Sequence, residues 1–224
     1  MNARTWCYPI DPTHYLVGGS INNGGLALSW LKDLFNQVIS FSGNEKKLDF
    51  EALLDLAQEV PPGADGVLCL PFFVGERSPN WNMNAKAVFF GLTLDHDARH
   101  LARALVEGVA FRLRNIYDVL KSQSIPIEEI RASGGFTHSP LWVQTVASAL
   151  GHELIIPAWG ETSCLGAALW CLYGRGEIHS IEEMGQLIQV QEIISSDPHA
   201  EQCYQQSYRQ YLDLYDALQK LFQK

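Results

Sequence analysis

The residues with the clearest chemical potential are glycines and hydroxyls set just ahead of helical stretches. Ser133-Gly134-Gly135 follows the segment at Ile130 and precedes Ser139-Pro140. Glycine has no Cβ and tolerates positive φ, so a turn on Gly134 and Gly135 lets backbone come close to a ligand. Ser139 suits a helix N-cap, and Pro140 suits the first helical position. A glycine turn feeding a helix start offers free N–H groups and a positive dipole end, which favours a polar or anionic ligand. The same residues also make an ordinary strand-to-helix turn with nothing bound. Two further glycine-bearing stretches, Gly18 to Gly25 and Gly160 to Gly166, each follow a predicted strand. Ligands in open α/β sheets gather at the carboxyl ends of strands, so the three turns could share one rim. A nucleotide or coenzyme site is the chemistry this pattern can support.

Other reactive side chains form no comparable constellation. His96 and His100 stand four apart on a predicted helix, a spacing that suits zinc, but no third ligand accompanies them. They read as solvated helix residues. His138, beside the glycine turn, could touch a nucleotide. Asp11, Asp95 and Asp97 read as turn and cap residues, and no acid is assigned a catalytic role. Cys7, Cys69, Cys164, Cys171 and Cys203 form no Cys-x-x-Cys pair and lie in apolar segments, which predicts reduced, buried thiols in a cytosolic protein.

The elements that must hold these turns are well marked. Trp6 to Ile10 and His14 to Gly18 read as short strands around Asp11-Pro12-Thr13. A helix is predicted from about Gly25 to Ile39, with Leu26, Trp30, Leu31, Leu34 and Val38 on one side, broken by Ser42-Gly43-Asn44. Asp49 can cap a second helix that stops at Pro61-Pro62-Gly63. Gly66 to Pro71 is apolar on both faces, the mark of a buried strand. A polar loop from Gly75 to Asn84 leads to a strand at Val88 to Leu92. The longest helix, about His96 to Ser122 with Asp95 as its cap, carries a stripe of Leu101, Leu105, Gly108, Val109, Arg112, Leu113, Ile116 and Leu120. Gly108 in mid-helix costs about 1 kcal/mol against alanine, and a close neighbour there would explain it. A short helix near Ile181 to Ile188, an extended piece at Val190 to Ile194 and a helix from about Asp197 to Phe222 close the chain. The tyrosine face of that last helix (Tyr204, Tyr208, Tyr211, Tyr215) predicts core packing.

Composition sets the outer limits. At 224 residues, 47% hydrophobic and 18% charged, the chain can bury a sizeable core. Its net charge of −9 and lack of any basic run argue against nucleic acid or an anionic membrane as main partner. No apolar run approaches the length of a membrane span, and Met1 opens no secretory signal, which predicts a soluble, cytoplasmic protein. Alternating strands and long helices predict a layered α/β fold with a mixed sheet, as one domain over residues 1–224.

The order of motifs adds a family resemblance. Leu70-Pro71, Gly75-Glu76-Arg77-Ser78-Pro79, Trp81, Phe89-Phe90-Gly91-Leu92-Thr93-Leu94, His100-Leu101-Ala102-Arg103-Ala104 and Glu107-Gly108 resemble the C-terminal half of the FGGY carbohydrate kinases. Ser133-Gly134-Gly135, Ser139, Leu141-Trp142, Gln144, Ala147, Leu150-Gly151 and Leu165-Gly166-Ala167-Ala168 continue the match. Asn22-Asn23-Gly24-Gly25, Trp81-Asn82, Gly135-Phe136 and Glu161 to Gly166 are most similar to its gluconokinase branch, while xylulose and glycerol kinases share the skeleton. The resemblance implies an actin-like ATPase (ribonuclease H-like) domain, a three-layer α/β/α sandwich with a mixed sheet that lacks its first strand. It implies ATP, with Gly134, Gly135 and Ser139 against the nucleoside and Gly25 and Ser29 at a second nucleotide-contacting helix start.

The resemblance also implies what lies outside this chain. Family members carry an N-terminal domain with most of the sugar site, phosphate-binding hairpins and a catalytic aspartate acting as base. Mg²⁺ and a sugar or sugar acid would be held with that domain. No residue here matches the aspartate, so this chain by itself is expected to be inactive, or a non-catalytic fragment that binds nucleotide or a partner. Glu76 and Arg77 would either face the cleft or form an ion pair that anchors their loop. Met83, Lys86 and Ala87 depart from the family's proline, arginine and glycine. An actin-like sheet without its first strand would expose apolar faces, so either a homodimer or a local rearrangement is expected.

Overall fold

A computed structural model describes residues 4–41 and 47–223. The chain opens with an antiparallel hairpin of β1 (Trp6–Pro9) and β2 (Tyr15–Gly18). Its turn is the predicted one: Asp11 Oδ1 accepts from the Thr13 and His14 amides, each at 2.8 Å. α1 (Gly25–Phe41) follows, and the predicted break at Ser42-Gly43-Asn44 lies outside the described residues. α2 (Phe50–Gln58) is capped by Asp49, whose side chain accepts from the Ala52 amide at 2.9 Å. β3 (Leu68–Leu70) is fully buried and pairs antiparallel with β4 (Val88–Phe90).

The longest helix is α3 (Ala98–Ser122), and its cap is Asp97 rather than Asp95. Thr93 and His96 close a tight turn in which the Asp95 amide donates to Thr93 Oγ1. The helix therefore begins two residues later than the charge pattern suggests. His100 is not solvated. Its Nδ1 accepts from the Asp97 amide at 3.1 Å while the Asp97 side chain accepts from the Arg99 amide at 2.9 Å, a reciprocal cap that buries the imidazole. Gly108 has the close neighbour its position predicts: a Cβ there would lie 2.3 Å from the Cys69 carbonyl oxygen on β3.

α4 (Pro140–Leu150), β5 (Leu154–Pro157), α5 (Thr162–Gly174), α6 (Ile181–Gln186), β6 (Val190–Ile194) and α7 (Pro198–Leu218) complete the chain. β5 and β6 are antiparallel, and residues 130–132 run parallel to β5 through the Arg131–Ile155 bridge. The class is α/β with mixed pairing, as expected. The ladders β1–β2, β3–β4 and β5–β6 are each two-stranded, and no pairing joins one to another among the described residues.

The main core packs α3 against β3, α4 and α7. Tyr204, Tyr208, Tyr211 and Tyr215 of α7 are buried, and the Phe111 ring of α3 meets the first three at 5.7 Å each. Two ion pairs lie inside it. Arg103 meets Glu107 at 2.7 Å, with Tyr204 donating to Glu107 as well, and Arg112 meets Glu76 at 2.8 Å. A buried pair of this kind needs its remaining hydrogen bonds filled, because each charge has given up its water.

Apolar segments are not buried throughout, and the α1 stripe and the cysteines come out differently from the sequence reading. α1 buries Ala27, Leu28 and Leu31, so of the predicted stripe only Leu31 is inside. Leu26, Trp30, Leu34 and Val38 remain exposed, Val38 at 61%. Periodicity cannot choose between two apolar faces of one helix; the neighbour that packs does. α5 is mostly apolar after Thr162-Ser163 yet buries only Leu169, within a small satellite cluster with Ile178 and Met184. Of the cysteines, all free, only Cys69 is buried; Cys7, Cys164 and Cys171 are exposed and Cys203 is half-buried.

Candidate nucleotide site

Backbone pairing sets the site. The Ala132 amide donates to the Ile155 carbonyl and the Ile155 amide to the Ile130 carbonyl, both at 2.9 Å. Because the two segments run parallel, their carboxyl ends point the same way, and the loops that follow them emerge on one side. Residues 130–132 run on into Ser133-Gly134-Gly135, and β5 runs on through Gly160 to the start of α5. Thr162 Oγ1 meets Ser133 Oγ at 3.0 Å and ties the two loops together.

Gly134 has φ of +99°, a conformation that side-chain-bearing residues rarely adopt, so the turn requires glycine there. Gly135 then begins a single 3-10 turn, Gly135–His138, closed by the Thr137 amide and hydroxyl on the Gly134 carbonyl at 3.0 and 2.8 Å. Ser139 caps α4: its Oγ accepts from the Trp142 amide at 3.3 Å, with Pro140 at the first helical position. Phe136 and Trp142 stack edge to face behind the turn, 5.9 Å apart, and hold it against the helix. α4 carries no acid at its cap or in its first turn, so nothing there offsets the positive end of its dipole, whereas α5 has Glu161 at its N-cap.

A Cβ built on Gly134 or Gly135 meets no atom within 4 Å, so the backbone there faces open space. The same is true of Gly25. Gly25 and Ser29 stand on the first turns of α1, positioned by Asn23, which is buried and bonds the 73–78 loop: Asn23 Nδ2 donates to the Gly75 carbonyl at 2.8 Å and its Oδ1 accepts from the Val74 amide at 3.2 Å. The structure thus brings Gly134, Gly135 and Ser139 together with Ser133 and Thr162, and anchors Gly25 and Ser29 separately beside the Gly75 loop. His138 is exposed on the edge of the turn.

Glu76 and Arg77 divide the roles proposed for them. Glu76 is buried and anchors the loop, but its cation is Arg112 rather than Arg77. It also accepts from Asn80 at 2.9 Å and from the Tyr215 hydroxyl. Burial pushes the Glu76 carboxyl up, and Arg112 opposes it. Arg112 sits in the apolar stripe of the longest helix, and a guanidinium at a core-facing position was the available signal for this pair. Arg77 is exposed. His96 and His100 both reach Asp65, and no group of three or more metal-binding side chains occurs among the described residues.

Residues 4–175 match the model of the C-terminal domain of the FGGY family of carbohydrate kinases. The chain is 36% identical over 188 residues to a gluconokinase of Bacillus subtilis, covering 83% of this chain and 37% of that protein. It is 27% identical over 221 residues to a xylulose kinase of Staphylococcus epidermidis, covering 98% of this chain and 42% of that one. A solved gluconate kinase from Lactobacillus acidophilus superposes with a TM-score of 0.85 at 30% identity, over 96% of this chain and 42% of its own. The chain therefore spans less than half the length of the relatives it matches.

Proposed function

Because this chain belongs to the FGGY family of carbohydrate kinases, we propose that its 224 residues form the C-terminal, nucleotide-holding domain of an ATP-dependent sugar kinase with D-gluconate as substrate. The observation that carries the nucleotide reading is the open backbone at Gly134-Gly135, set on the shared rim and leading into a capped helix start. Such a cradle suits the adenosine part of ATP, because a ribose or adenine edge can rest on it without meeting a side chain. Bound ATP supplies the phosphoryl group. Gly134, Gly135 and Ser139 fix the nucleoside from one side, and Gly25 and Ser29 approach it from α1. The Ser133–Thr162 bond keeps the rim in register while the nucleotide binds. The gluconate assignment rests on likeness to the gluconokinase and gluconate kinase relatives.

Sugar binding, Mg²⁺ coordination and the base that deprotonates the accepting hydroxyl belong, on this reading, to an N-terminal domain that also covers the exposed stripe of α1. A cytoplasmic location fits a metabolic kinase of this kind, and no helix among the described residues is long and apolar enough to cross a membrane. If the chain acts without that domain, a second copy would cover the stripe as a homodimer, and the chain would bind nucleotide without catalysis. A xylulose or glycerol substrate is the second reading for the whole enzyme, supported by the match to a xylulose kinase over 98% of this chain.

Titration calorimetry of the chain with ADP and ATP tests the cradle. Binding that is lost in Gly135→Val while thermal unfolding is unchanged supports it, since the added side chain enters open space in the free protein. Unaltered binding in Gly135→Val would refute the placement. Assaying the full-length enzyme that contains this chain against gluconate, xylulose and glycerol decides the sugar.

A further inference from the structure

A second concavity, of about 650 Å³, opens where the end of α7 meets the loop after Glu76. Its described lining includes none of Gly25, Ser29, Gly134, Gly135 or Ser139, although the Ser78 amide ties this loop to the Ser20 carbonyl at 3.1 Å. The walls include Arg4, Asn80, Trp81, Asn82, Asn84 and Tyr215. Four of them, Asn80, Asn82, Asn84 and Tyr215, are held by hydrogen bonds. Asn80 and Tyr215 both donate to the buried Glu76 carboxylate, whose charge is met by Arg112. The Glu76 amide donates to the Asn82 carbonyl at 2.9 Å and the Asn84 amide to Asn82 Oδ1 at 3.1 Å.

Three features say what would bind. Arg4 makes no ion pair among the described residues, although the chain carries a net charge of −9. No carboxylate is among the described residues that line the pocket, so an anion meets an exposed cation and no lining carboxylate to repel it. Trp81 holds φ of +53°, a strained conformation for a side-chain-bearing residue, and the residue is 47% exposed. Backbone strain that presents an indole to a polar pocket is the pattern of a ligand platform. The side chains of Asn82 and Asn84 add amide donors and acceptors suited to hydroxyl groups.

We propose that this pocket binds a small polyhydroxylated anion, its acidic group on Arg4 and its hydroxyls on the asparagine amides, with the carbon chain against Trp81. A sugar acid and a sugar phosphate share this chemistry. The pocket shares no described lining residue with the nucleotide cradle, and ADP binding in its variants tests whether the two act separately.

The test is calorimetry of the 224-residue chain with sodium D-gluconate, with D-glucose 6-phosphate and with sorbitol as the uncharged control. Saturable binding of one or both anions, with none of sorbitol, is expected, and which anion binds identifies the acidic group. Arg4→Ala should weaken that binding by about tenfold or more, as loss of a charge-assisted hydrogen bond does. Asn84→Asp places a carboxylate in the pocket and should abolish it, and thermal unfolding checks that both variants fold. Equal binding of sorbitol, no saturable binding of either anion, or anion binding untouched by both substitutions would overturn the proposal. ADP binding that persists in Arg4→Ala and Asn84→Asp confirms that the two sites are distinct; its loss in both counts against a separate pocket.

Discussion

Replacing Gly108 with alanine sets two effects against each other, and the structure says which wins. Alanine in a helix interior is favoured over glycine by about 1 kcal/mol, so propensity alone predicts a more stable protein. The new methyl would lie 2.3 Å from the Cys69 carbonyl oxygen, while ordinary contact begins at 3.4 Å. About 1 Å of overlap must be relieved, and both partners are backbone, one in α3 and one in the fully buried β3. No flexible side chain can swing away. Overpacking of a well-filled core costs about 1–3 kcal/mol, sometimes more, and a backbone-on-backbone clash belongs at the upper end. The net effect is a loss of about 1–2 kcal/mol, or a fall in melting temperature of about 2–8 °C for a chain of this size. Gly166 in α5 is the control, because a Cβ there meets nothing within 4 Å. Gly166→Ala should raise stability by up to about 1 kcal/mol. Differential scanning calorimetry of the two variants beside the parent reads both signs. A Gly108→Ala protein as stable as the parent, or more stable, refutes the reasoning about the α3–β3 approach.

Three further outcomes are expected. Glu76→Ala should cost about 3–5 kcal/mol in urea unfolding, since it leaves the Arg112 charge buried without its partner; a loss under about 1 kcal/mol would mean the pair contributes little. Asp97→Ala should lose about 1 kcal/mol through its cap while Asp95→Ala stays within error, and the reverse order would restore Asp95 as the cap. The Thr13 amide, with His14, holds the Asp11 carboxyl down at about 2, below its unfolded value near 3.9. Its contribution to the β1–β2 turn is therefore complete above about pH 4 and lost as pH falls toward 2. Carbon-detected titration of Asp11 by NMR should find that low midpoint, and a midpoint near 4 would sink the turn geometry.

What was legible in the sequence was mainly what is local. Asp49 and Ser139 cap their helices because a cap depends on residues two or three positions away. Gly108 announced a close contact, though not that the partner was the Cys69 carbonyl. The cap of α3 was misplaced by two residues because Thr93 and His96 form a turn that competes for the same stretch. Which face of α1 is buried was not legible, since Leu28 and Leu34 look equivalent until a neighbour chooses between them. The Glu76–Arg112 pair joins residues 36 positions apart, and only the polar residue in an apolar stripe hinted at it. At the candidate site, type and spacing mark the Gly134-Gly135 turn and the Ser139 cap, and the structure has both. Thr162, which binds the two loops of the rim, is not marked, because a hydroxyl–hydroxyl bond between distant loops leaves no periodic trace.

The parallel seating of residues 130–132 on β5 has a mechanical result. Two loops that leave adjacent strands in the same direction are mounted on one plate, and the plate is held by main-chain bonds that do not depend on side-chain identity. Sequence drift along either strand can change what lies beneath the plate without changing the gap between its two lips. A pull on one lip, from whatever docks there, is felt at the other without any relay of side chains between them.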